Sequence, residues 1–346
     1  MAKLMFEEGK ITTYIDQIVR RTFDMDFDWD WPGGVAFYGI AEAYEITKKE
    51  DYLLGLKTWM DDHLEGGLPP LSINGVSMGH TLLFLFEHTG EEVYLETAEQ
   101  LADYVLKKAP RFADGILQHT VNSTSYVFPE QAWADTLMMA GLFMLKYGVV
   151  ASRQDCIDDA LKQYHGHEEF LQDQMTHLYY HGWDHQAQNH LSGIYWGRAN
   201  AWAALTMAKA LPLIPVTHPS FMIIDGSLRD QLSALVRLQG ESGLWHTILD
   251  DPTSYLEVSA SCGIASALIS RGHLYNKQIQ QALSGVLAAV KEDGSVTGVS
   301  AGTAIMEHAE GYKKVPIKRI QGWGQGLALV FLTDVLRTRA VADTHA

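Results

Sequence analysis

The sequence predicts an all-α protein in which helical hairpins close into a ring. Three observations support this fold class: apolar residues recur at helical spacing along almost the whole chain, very apolar segments alternate with amphipathic ones, and one unit is repeated. No alternating strand pattern of useful length occurs, although short β segments are compatible with residues 116–120 and 243–247. The predicted helices cover residues 35–47, 78–88, 94–107, 137–147, 198–211, 227–238, 260–269, 278–290 and 324–337.

The repeat relates residues 45–53 to residues 87–95. Both segments share the pattern Glu-x-Thr followed by Tyr-Leu, and Tyr52 and Tyr94 lie 42 residues apart. Each copy ends an apolar helix, makes a short polar turn and begins an amphipathic helix. The unit is therefore a helical hairpin, and the chain has room for several more.

Helices of two kinds require two layers. The segments at 78–88 and 137–147 are apolar on all sides, whereas those at 94–107 and 227–238 are amphipathic. A closed toroid with an apolar inner ring and an amphipathic outer ring satisfies both patterns. Because no linker rich in Pro, Gly or Ser divides the chain, we expect residues 1–346 to form a single catalytic domain.

Charge and composition exclude several classes of function. Lysine and arginine number 26 against 42 aspartate and glutamate residues, and the net charge of −16 repels nucleic-acid backbones and anionic membranes. The two cysteines form no CxxC pair, and residues 1–10 contain no apolar signal core. We therefore expect a cytoplasmic protein without nucleic-acid or membrane partners. No P-loop occurs, so nucleotide-dependent chemistry has no support.

Polar and aromatic residues concentrate at four loop-to-helix junctions, residues 28–34, 72–75, 133–136 and 196–202. Tryptophan beside His and Asp in glycine-containing loops is typical of sugar-binding sites, because the rings stack on sugars and the polar groups bind hydroxyls. If the inner helices are parallel, these junctions meet at one mouth of the barrel. The positive ends of the helix dipoles then favour an anionic ligand, although the protein as a whole is acidic.

Asp135 is the candidate catalytic residue. It lies between Trp133 and the apolar run 137–140, where desolvation is expected to raise its pKa and allow it to donate a proton near neutral pH. The alternative is a helix-capping Asp that complements the dipole.

Arg198 has two interpretations that the sequence leaves equally open. It is four residues from Trp202 and two from Trp196, so a structural cation–π pair is one of them. The other is a bidentate clamp on a substrate carboxylate beside an aromatic platform.

The four histidines between residues 177 and 190 have partly helical spacing, but Gly182 interrupts any helix there and no HExxH motif occurs. We therefore predict no metal site at these histidines, and assign His181 to sugar binding. His119 is isolated, and its alternative role is structural. The candidate substrate-binding residues are Trp31, Asn74, His119, Trp133, His181, Trp183, Trp196, Arg198, Trp202, Trp245 and His246.

A series of short motifs in a fixed order carries a family resemblance over most of the chain. They are WPGG at 31–34, WADTLMMA at 133–140, HGWD at 181–184, WGRANAW at 196–202, GLWH at 243–246, LDDP at 249–252, SYLEVSAS at 254–261 and GWGQG at 322–326. Together they resemble the unsaturated uronyl hydrolases, chiefly the unsaturated rhamnogalacturonyl hydrolases of glycoside hydrolase family 105 and the related unsaturated glucuronyl hydrolases.

The resemblance implies an (α/α)6 barrel without metal or organic cofactor. It also implies the substrate, a small anionic oligosaccharide left by a polysaccharide lyase, from whose non-reducing end a 4,5-unsaturated uronic acid is removed. The acid/base Asp of the family falls on Asp135, the sugar-binding His on His181, and the Trp-x-Arg pair on Trp196 and Arg198.

Two positions depart from the family pattern. Asn74 stands where many members carry a second Asp, and Glu130 stands where relatives often carry His. An amide at position 74 keeps hydrogen-bonding ability without charge, so the accepted uronyl linkage stays open.

The chemistry implied by this resemblance needs one carboxyl group rather than the two of ordinary glycosidases. An unsaturated uronide is an enol ether, and hydration of its C4–C5 double bond releases the rest of the oligosaccharide. Two alternatives stay open: a sugar epimerase or isomerase on the same barrel using His181 and His246, and a non-catalytic oligosaccharide-binding protein. The sequence is silent on oligomeric state.

Overall fold

The structure, a computed structural model, describes residues 4–122 and 128–343. The helices are α1 (Glu8–Phe23), α2 (Trp31–Thr47), α3 (Glu50–Glu65), α4 (Gly79–Thr89), α5 (Glu92–Lys107), α6 (Leu142–Val150), α7 (Gln154–Leu171), α8 (Gly197–Ala210), α9 (Pro219–Leu235), α10 (Val258–Ile269), α11 (Asn276–Ala289), α12 (Ala309–Lys313) and α13 (Gly322–Asp343). The strands form three antiparallel pairs: β1 (Arg111–Phe112) with β2 (Ile116–Leu117), β3 (Gln131–Trp133) with β4 (Gly182–Asp184), and β5 (Trp245–His246) with β6 (Leu256–Glu257).

The long helices alternate between an inner and an outer ring, as the burial patterns require. The inner helices α8 and α10 are buried along almost their whole length, whereas the outer helix α3 buries only one face, with Tyr52, Leu56 and Met60. The ring closes where α13 packs between α2 and α10. The predicted all-α fold and (α/α)6 barrel are confirmed.

The internal repeat is visible in the backbone. Lys48 and Gly90, 42 residues apart, end α2 and α4 in the left-handed conformation, with φ of 51° and 70°. The repeated tyrosines then anchor each outer helix to the one before it: the hydroxyl of Tyr52 donates to Asp16 of α1, and that of Tyr94 donates to Asp61 of α3. The hairpin predicted from the repeat is confirmed.

Two local differences from the predicted elements lie beside the junctions. The predicted helix at 137–147 begins as a π-helical turn, Leu137–Gly141, before α6 continues it. Strands β2 and β5 lie within the segments 116–120 and 243–247, where a short β segment was compatible with the pattern, but their partners β1 and β6 and the pair of β3 with β4 were not predicted. Two- and three-residue strands lack the alternation that makes longer strands recognisable.

The junctions meet at one end of the barrel. Trp31 at the start of α2 stacks on Trp323 of α13 at 4.2 Å between ring centroids. Arg198 of α8 pairs with Glu257, the N-cap residue of α10. The N-termini of these inner helices therefore lie together, as predicted. None of the helices within the described residues is long and apolar enough to cross a membrane.

Candidate active site

The pairing of β3 with β4 brings Asp135 and His181 together. Trp133 lies opposite Gly182 in this ladder, and the backbone N–H of Ala134 donates to the carbonyl of His181 at 3.1 Å. Asp135 Oδ2 and His181 Nε2 consequently face each other at 3.6 Å. Both side chains are buried, and neither of these two atoms has a hydrogen-bond partner among the described residues.

The segment that carries His181 is fixed from the inner ring. Asn200 of α8 accepts from the backbone N–H of Tyr179 and donates to its carbonyl, both at 2.8 Å. Gly182 is required by close packing, because a Cβ there would lie 2.0 Å from Ile305 Cδ1 and 3.0 Å from the carbonyl oxygen of Ala132.

The pKa of Asp135 corrects a prediction. Burial by itself raises it, as expected, but His181 first, and then the charges of His119 and Arg198, outweigh burial and bring the pKa below its ordinary value. The expectation of a raised pKa was wrong for the unliganded site, because the sequence did not show which donors and cations surround the carboxyl group. Asp135 is therefore a carboxylate at neutral pH in the unliganded protein.

Both histidines beside this carboxylate are neutral at pH 7. Burial lowers the pKa of His181, against the opposing effect of Asp135, and lowers the pKa of His119 to about 4. The His181 ring lies 4.1 Å from the Trp196 ring between centroids, and its Nδ1 lies 2.8 Å from the Tyr312 hydroxyl. The site thus combines an ionised carboxylate with a neutral imidazole.

Trp133 forms the wall between the two histidines. Its ring stacks on His119 with centroids 4.5 Å apart and meets His181 edge to face at 5.5 Å. His119 Nδ1 lies 3.0 Å from Thr136 Oγ1, one residue beyond Asp135. Trp133 is only half-buried, so its free face is available to a ligand, whereas His119 is buried behind it.

The two Nη atoms of Arg198 are not free to bind a carboxylate. Its Nη1 donates to Ser300 Oγ at 2.5 Å and to the Ser300 carbonyl at 3.1 Å, and its Nη2 donates to the Ala301 carbonyl and to Thr303 Oγ1. The guanidinium lies 4.4 Å from the Trp196 ring, and only 1% of the residue is exposed. In the unliganded structure these contacts are those of the structural cation–π interpretation, because residues 300–303 take the Nη donors that a clamp would need.

Glu257 balances the charge of Arg198 at 3.5 Å. Its carboxylate, fully buried, also accepts from Ser259 Oγ and from the backbone N–H groups of Ala260 and Ser300. A buried ion pair with these additional donors is the arrangement in which desolvation is best compensated. The pair ties α8, α10 and the segment after residue 299 into one rigid support behind the site.

Trp31 is one of the predicted aromatic residues that stay partly exposed. It is half-buried and stacks on Trp323, whose Nε1 donates to the Ser300 carbonyl at 3.2 Å. Trp323 in turn lies beside Arg198, at 5.3 Å from its guanidinium. Trp31 is therefore the outer end of an aromatic row whose inner end is the buried arginine.

The side chains of five predicted substrate-binding residues are not positioned to contact a ligand beside Asp135. Trp202 and Trp245 have no exposed surface and Trp196 has 1%, so they form part of the core and cannot stack on a sugar in this conformation. Trp183 packs on Phe170 and His190. His246 Nδ1 bonds to the Ser254 carbonyl at 2.6 Å, and no ring contact joins His246 to His181 within the described residues. Sequence adjacency did not reveal which face of each segment turns inward.

Asn74 lies beside the site through its backbone. Its N–H donates to the carbonyl of Thr120, next to His119, and only 5% of the residue is exposed. It precedes the turn Gly75–Met78, where Ser77 has the GxSxG spacing of a nucleophile; that serine is fully buried and donates to the Asn74 carbonyl at 2.7 Å. The motif is therefore structural here.

The histidines between 177 and 190 are dispersed. His190 stacks on Tyr180 at 3.9 Å, His185 lies against Phe112, and only His181 faces Asp135 among the described residues of this segment. In the ranges that the structure describes, no group of three or more His, Cys, Asp or Glu residues is arranged to hold a metal ion.

Sequence reasoning missed Tyr312, Ser300, Glu257 and Trp323 as parts of the site. Glu257 and Trp323 lie inside motifs that carried the family resemblance, so that signal was available. Nothing in the spacing of Tyr312 or Ser300 marks them, because both reach the site through the long loop between α11 and α13.

The barrel is the fold of a glycoside hydrolase family, and comparison with known sequences identifies that family. The family model for glycosyl hydrolase family 88 matches residues 6–339, and the chain belongs to this family. The resemblance to the unsaturated uronyl hydrolases is thereby confirmed.

Individual relatives are similar over almost the whole chain. The unsaturated rhamnogalacturonyl hydrolase YesR of Bacillus subtilis is 74% identical over 339 residues, which are 98% of each chain. Two crystal structures described as possible members of glycoside hydrolase family 105 share the fold. One, from Salmonella enterica, is 26% identical with a TM-score of 0.91 and covers 98% of this chain and 97% of its own. The other, from Klebsiella pneumoniae, is 27% identical with a TM-score of 0.91 and covers 98% and 96%.

Proposed function

We propose that this enzyme removes a 4,5-unsaturated uronic acid from the non-reducing end of a rhamnogalacturonan-derived oligosaccharide, with Asp135 as its acid and base. The observation that carries the proposal is the pairing of a buried carboxylate with a neutral imidazole at the barrel mouth, in a chain 74% identical to an unsaturated rhamnogalacturonyl hydrolase. The substrate is a small anionic oligosaccharide, and the free buried thiols of Cys156 and Cys262 are consistent with a cytoplasmic location.

Asp135 first acts as an acid. Its carboxyl group gives a proton to C4 of the enol ether, the C4–C5 double bond breaks, and the positive charge at C5 is shared with the ring oxygen. Asp135 must be protonated for this step. The substrate's own carboxylate and the exclusion of water both raise the pKa of a neighbouring carboxyl group, so substrate binding supplies the shift that the unliganded site lacks.

Asp135 then acts as a base. Its carboxylate takes a proton from water while the water oxygen bonds to C5, giving a hemiketal. The ring C5–O bond opens to leave a ketone at C5, and the hemiacetal formed at C1 collapses to an aldehyde as the remaining sugar leaves. The proton taken at this step restores the acid form, so one carboxyl group completes the cycle.

Arg198 supports this chemistry through its field. Its Nη1 and Nη2 atoms already donate within the protein, but its charge helps to lower the pKa of Asp135. The substrate carboxylate is therefore held by backbone N–H groups at the inner-helix N-termini, with the half-buried Trp31 and Trp133 as sugar platforms.

The experiment compares unsaturated disaccharides prepared by lyase digestion of rhamnogalacturonan and of a glycosaminoglycan. Loss of the double-bond absorbance, with release of rhamnose from the first, supports the proposal. Turnover of only the second overturns the substrate assignment. Binding without loss of absorbance identifies a non-catalytic protein, and isomerised free sugars identify an epimerase.

A further inference from the structure

Tyr312 reaches His181 on the side opposite Asp135. Its hydroxyl oxygen lies 2.8 Å from His181 Nδ1, and the residue has no exposed surface. It is carried by the short helix α12, at the end of the loop that also supplies Ser300 to Arg198 and packs Ile305 against Gly182. This loop therefore holds the histidine segment from outside the barrel.

The Tyr312 hydroxyl interacts with three groups: the backbone N–H of Met306, the hydroxyl of Ser192 and His181 Nδ1. The N–H of Met306 donates to the Tyr312 hydroxyl oxygen at 3.2 Å. Asp135 is ionised and its carboxylate can only accept, so it favours the proton of the neutral His181 ring on Nε2, and Nδ1 then accepts from the Tyr312 hydroxyl. Burial also raises the pKa of Tyr312 to about 12, so the hydroxyl keeps its proton throughout the neutral range.

A neutral imidazole carries one proton. With Nδ1 accepting from Tyr312, the proton of His181 resides on Nε2, the nitrogen that lies 3.6 Å from Asp135 Oδ2. We propose that Tyr312 is a positioning residue, which holds His181 in the tautomer that presents an N–H rather than a lone pair to the catalytic carboxylate. This inference rests on the proposed role of Asp135.

Among the charged and titratable groups around His181, Tyr312 is the group that can fix the state of Nδ1. Asp135 faces Nε2, Arg198 lies on α8 with Nη1 and Nη2 bonded to residues 300–303, and His119 is separated from His181 by the ring of Trp133. Only the tyrosine hydroxyl contacts Nδ1 among the described residues. Without it, the Nδ1–H tautomer becomes accessible, and the lone pair of Nε2 then opposes the negative charge of Asp135.

The test is Tyr312→Phe, with Tyr179→Phe as the matched control. Tyr179 is equally buried and lies two residues before His181, but its hydroxyl bonds to Ser227 at 3.1 Å. Nitrogen-15 NMR of labelled histidine reports the tautomer without substrate. We expect the Nε2–H form of His181 in the wild type and in Tyr179→Phe, and a mixed or protonated ring in Tyr312→Phe.

Kinetics on the unsaturated disaccharide supply the second readout. In Tyr312→Phe, His181 no longer presents its Nε2–H to Asp135, so the Asp135 carboxylate is less stable and the pKa of Asp135 rises. The decrease of kcat/KM with increasing pH should therefore begin at a higher pH than in the wild type. We expect kcat of Tyr312→Phe to fall at least about tenfold with little change in KM, as for other residues that orient a functional histidine.

Two outcomes overturn the inference: an Nδ1–H tautomer in the wild type, or a Tyr312→Phe enzyme whose pH profile and kcat match those of Tyr179→Phe. Absence of turnover in the wild type overturns the proposed function instead. The tautomer measurement separates the two, because it needs no substrate.

Discussion

At Asp135, burial and neighbouring charges act in opposite directions on one carboxyl group. Burial favours the protonated form, but His181 and the more distant Arg198 favour the carboxylate, and together they prevail. In the proposed mechanism, the unliganded site is therefore prepared for the base step and acquires its acid form when an anionic substrate enters. That mechanism uses one residue for both steps because substrate binding changes its surroundings.

Asp135→Asn tests this role. The amide can neither deliver a proton to C4 nor take one from water, so we expect kcat on the unsaturated disaccharide to fall by about 10²–10⁴-fold. Thermal unfolding is expected to change little, because Asp135 Oδ2 makes no hydrogen bond within the described structure. Asp250→Asn, at an exposed position, is the control and should retain full activity. Near-normal turnover by the Asp135→Asn variant would show that Asp135 is not the acid and base of the reaction.

Arg198→Lys tests whether this arginine is structural. An ammonium group cannot reproduce the planar set of donors to Ser300, Ala301 and Thr303. The carboxylate of Glu257 then stays buried with its ion pair weakened, and we expect a loss of about 3 kcal/mol in the free energy of unfolding. Urea denaturation measures it, with Arg229→Lys at an exposed position as control. Unchanged stability together with a raised KM would restore the role of Arg198 as a substrate clamp.

At the scale of elements, the hairpin unit recurs with a different residue at its critical turn. Both α2 and α4 end in a left-handed residue, which is Lys48 in the first copy and Gly90 in the second. A side chain in this conformation costs about 1–2 kcal/mol, whereas glycine adopts it freely. The two copies therefore keep one backbone geometry at unequal conformational cost.

Reciprocal substitutions measure this cost. Gly90→Lys should lower the free energy of unfolding by about 1 kcal/mol, and Lys48→Gly should raise it by about 0.5 kcal/mol, since glycine also gains entropy in the unfolded chain. The Lys48–Glu45 ion pair lost in the second variant is exposed and contributes little. Thermal and urea unfolding of both variants give the two values. Equal and same-signed effects would mean that side-chain contacts, rather than φ, decide the turn.

At the scale of the whole molecule, a charged cluster joins three inner helices where the ring closes. Glu42 of α2 lies 3.2 Å from Lys209 of α8 and 2.5 Å from Arg337 of α13, and Asp334 of α13 bridges the same two cations. Burial raises the pKa of Glu42, but the nearby Lys209, Arg337 and Lys146 outweigh burial, so that the pKa lies far below its ordinary value. Glu42 is therefore ionised throughout the neutral range.

The sign of the pH effect follows from this lowered pKa. The stabilisation by Glu42 is fully present above the unfolded-state pKa of about 4.3, and is lost as pH falls below it towards the lower folded-state pKa. Glu42→Gln leaves the cations of α8 and α13 without this partner and should cost about 3–5 kcal/mol at pH 7. Urea unfolding at pH 7 and at about pH 3.5, below that unfolded-state pKa, should show a smaller difference at the lower pH.

The exposed Glu310 provides the control for this measurement, because Glu310→Gln removes a carboxylate that lies 3.7 Å from Lys313 at the surface. Its free energy of unfolding should stay within about 0.5 kcal/mol of wild type. A pH-independent loss in Glu42→Gln would show that packing, and not charge, is what Glu42 contributes.

The ring of hairpins was determined by the sequence alone, because burial imposes a periodic pattern that survives along the chain. Apolar inner helices, amphipathic outer ones and the 42-residue repeat each follow from local composition, and so does the placing of Asp135 at the head of an inner helix. The order of the motifs was enough to give the family.

Only the tertiary structure decided how the site works. Whether Arg198 is a clamp or a support depends on Ser300 and Ala301, more than 100 residues away, and the pKa of Asp135 depends on which nitrogen of His181 faces it. Trp202 and Trp245 occur in the same kind of local sequence as Trp31 and Trp133, with polar residues nearby. Nevertheless, Trp202 and Trp245 lie in the core, whereas Trp31 and Trp133 are partly exposed. Side-chain direction and long-range partners set charge, exposure and hydrogen bonding, and local sequence does not encode them.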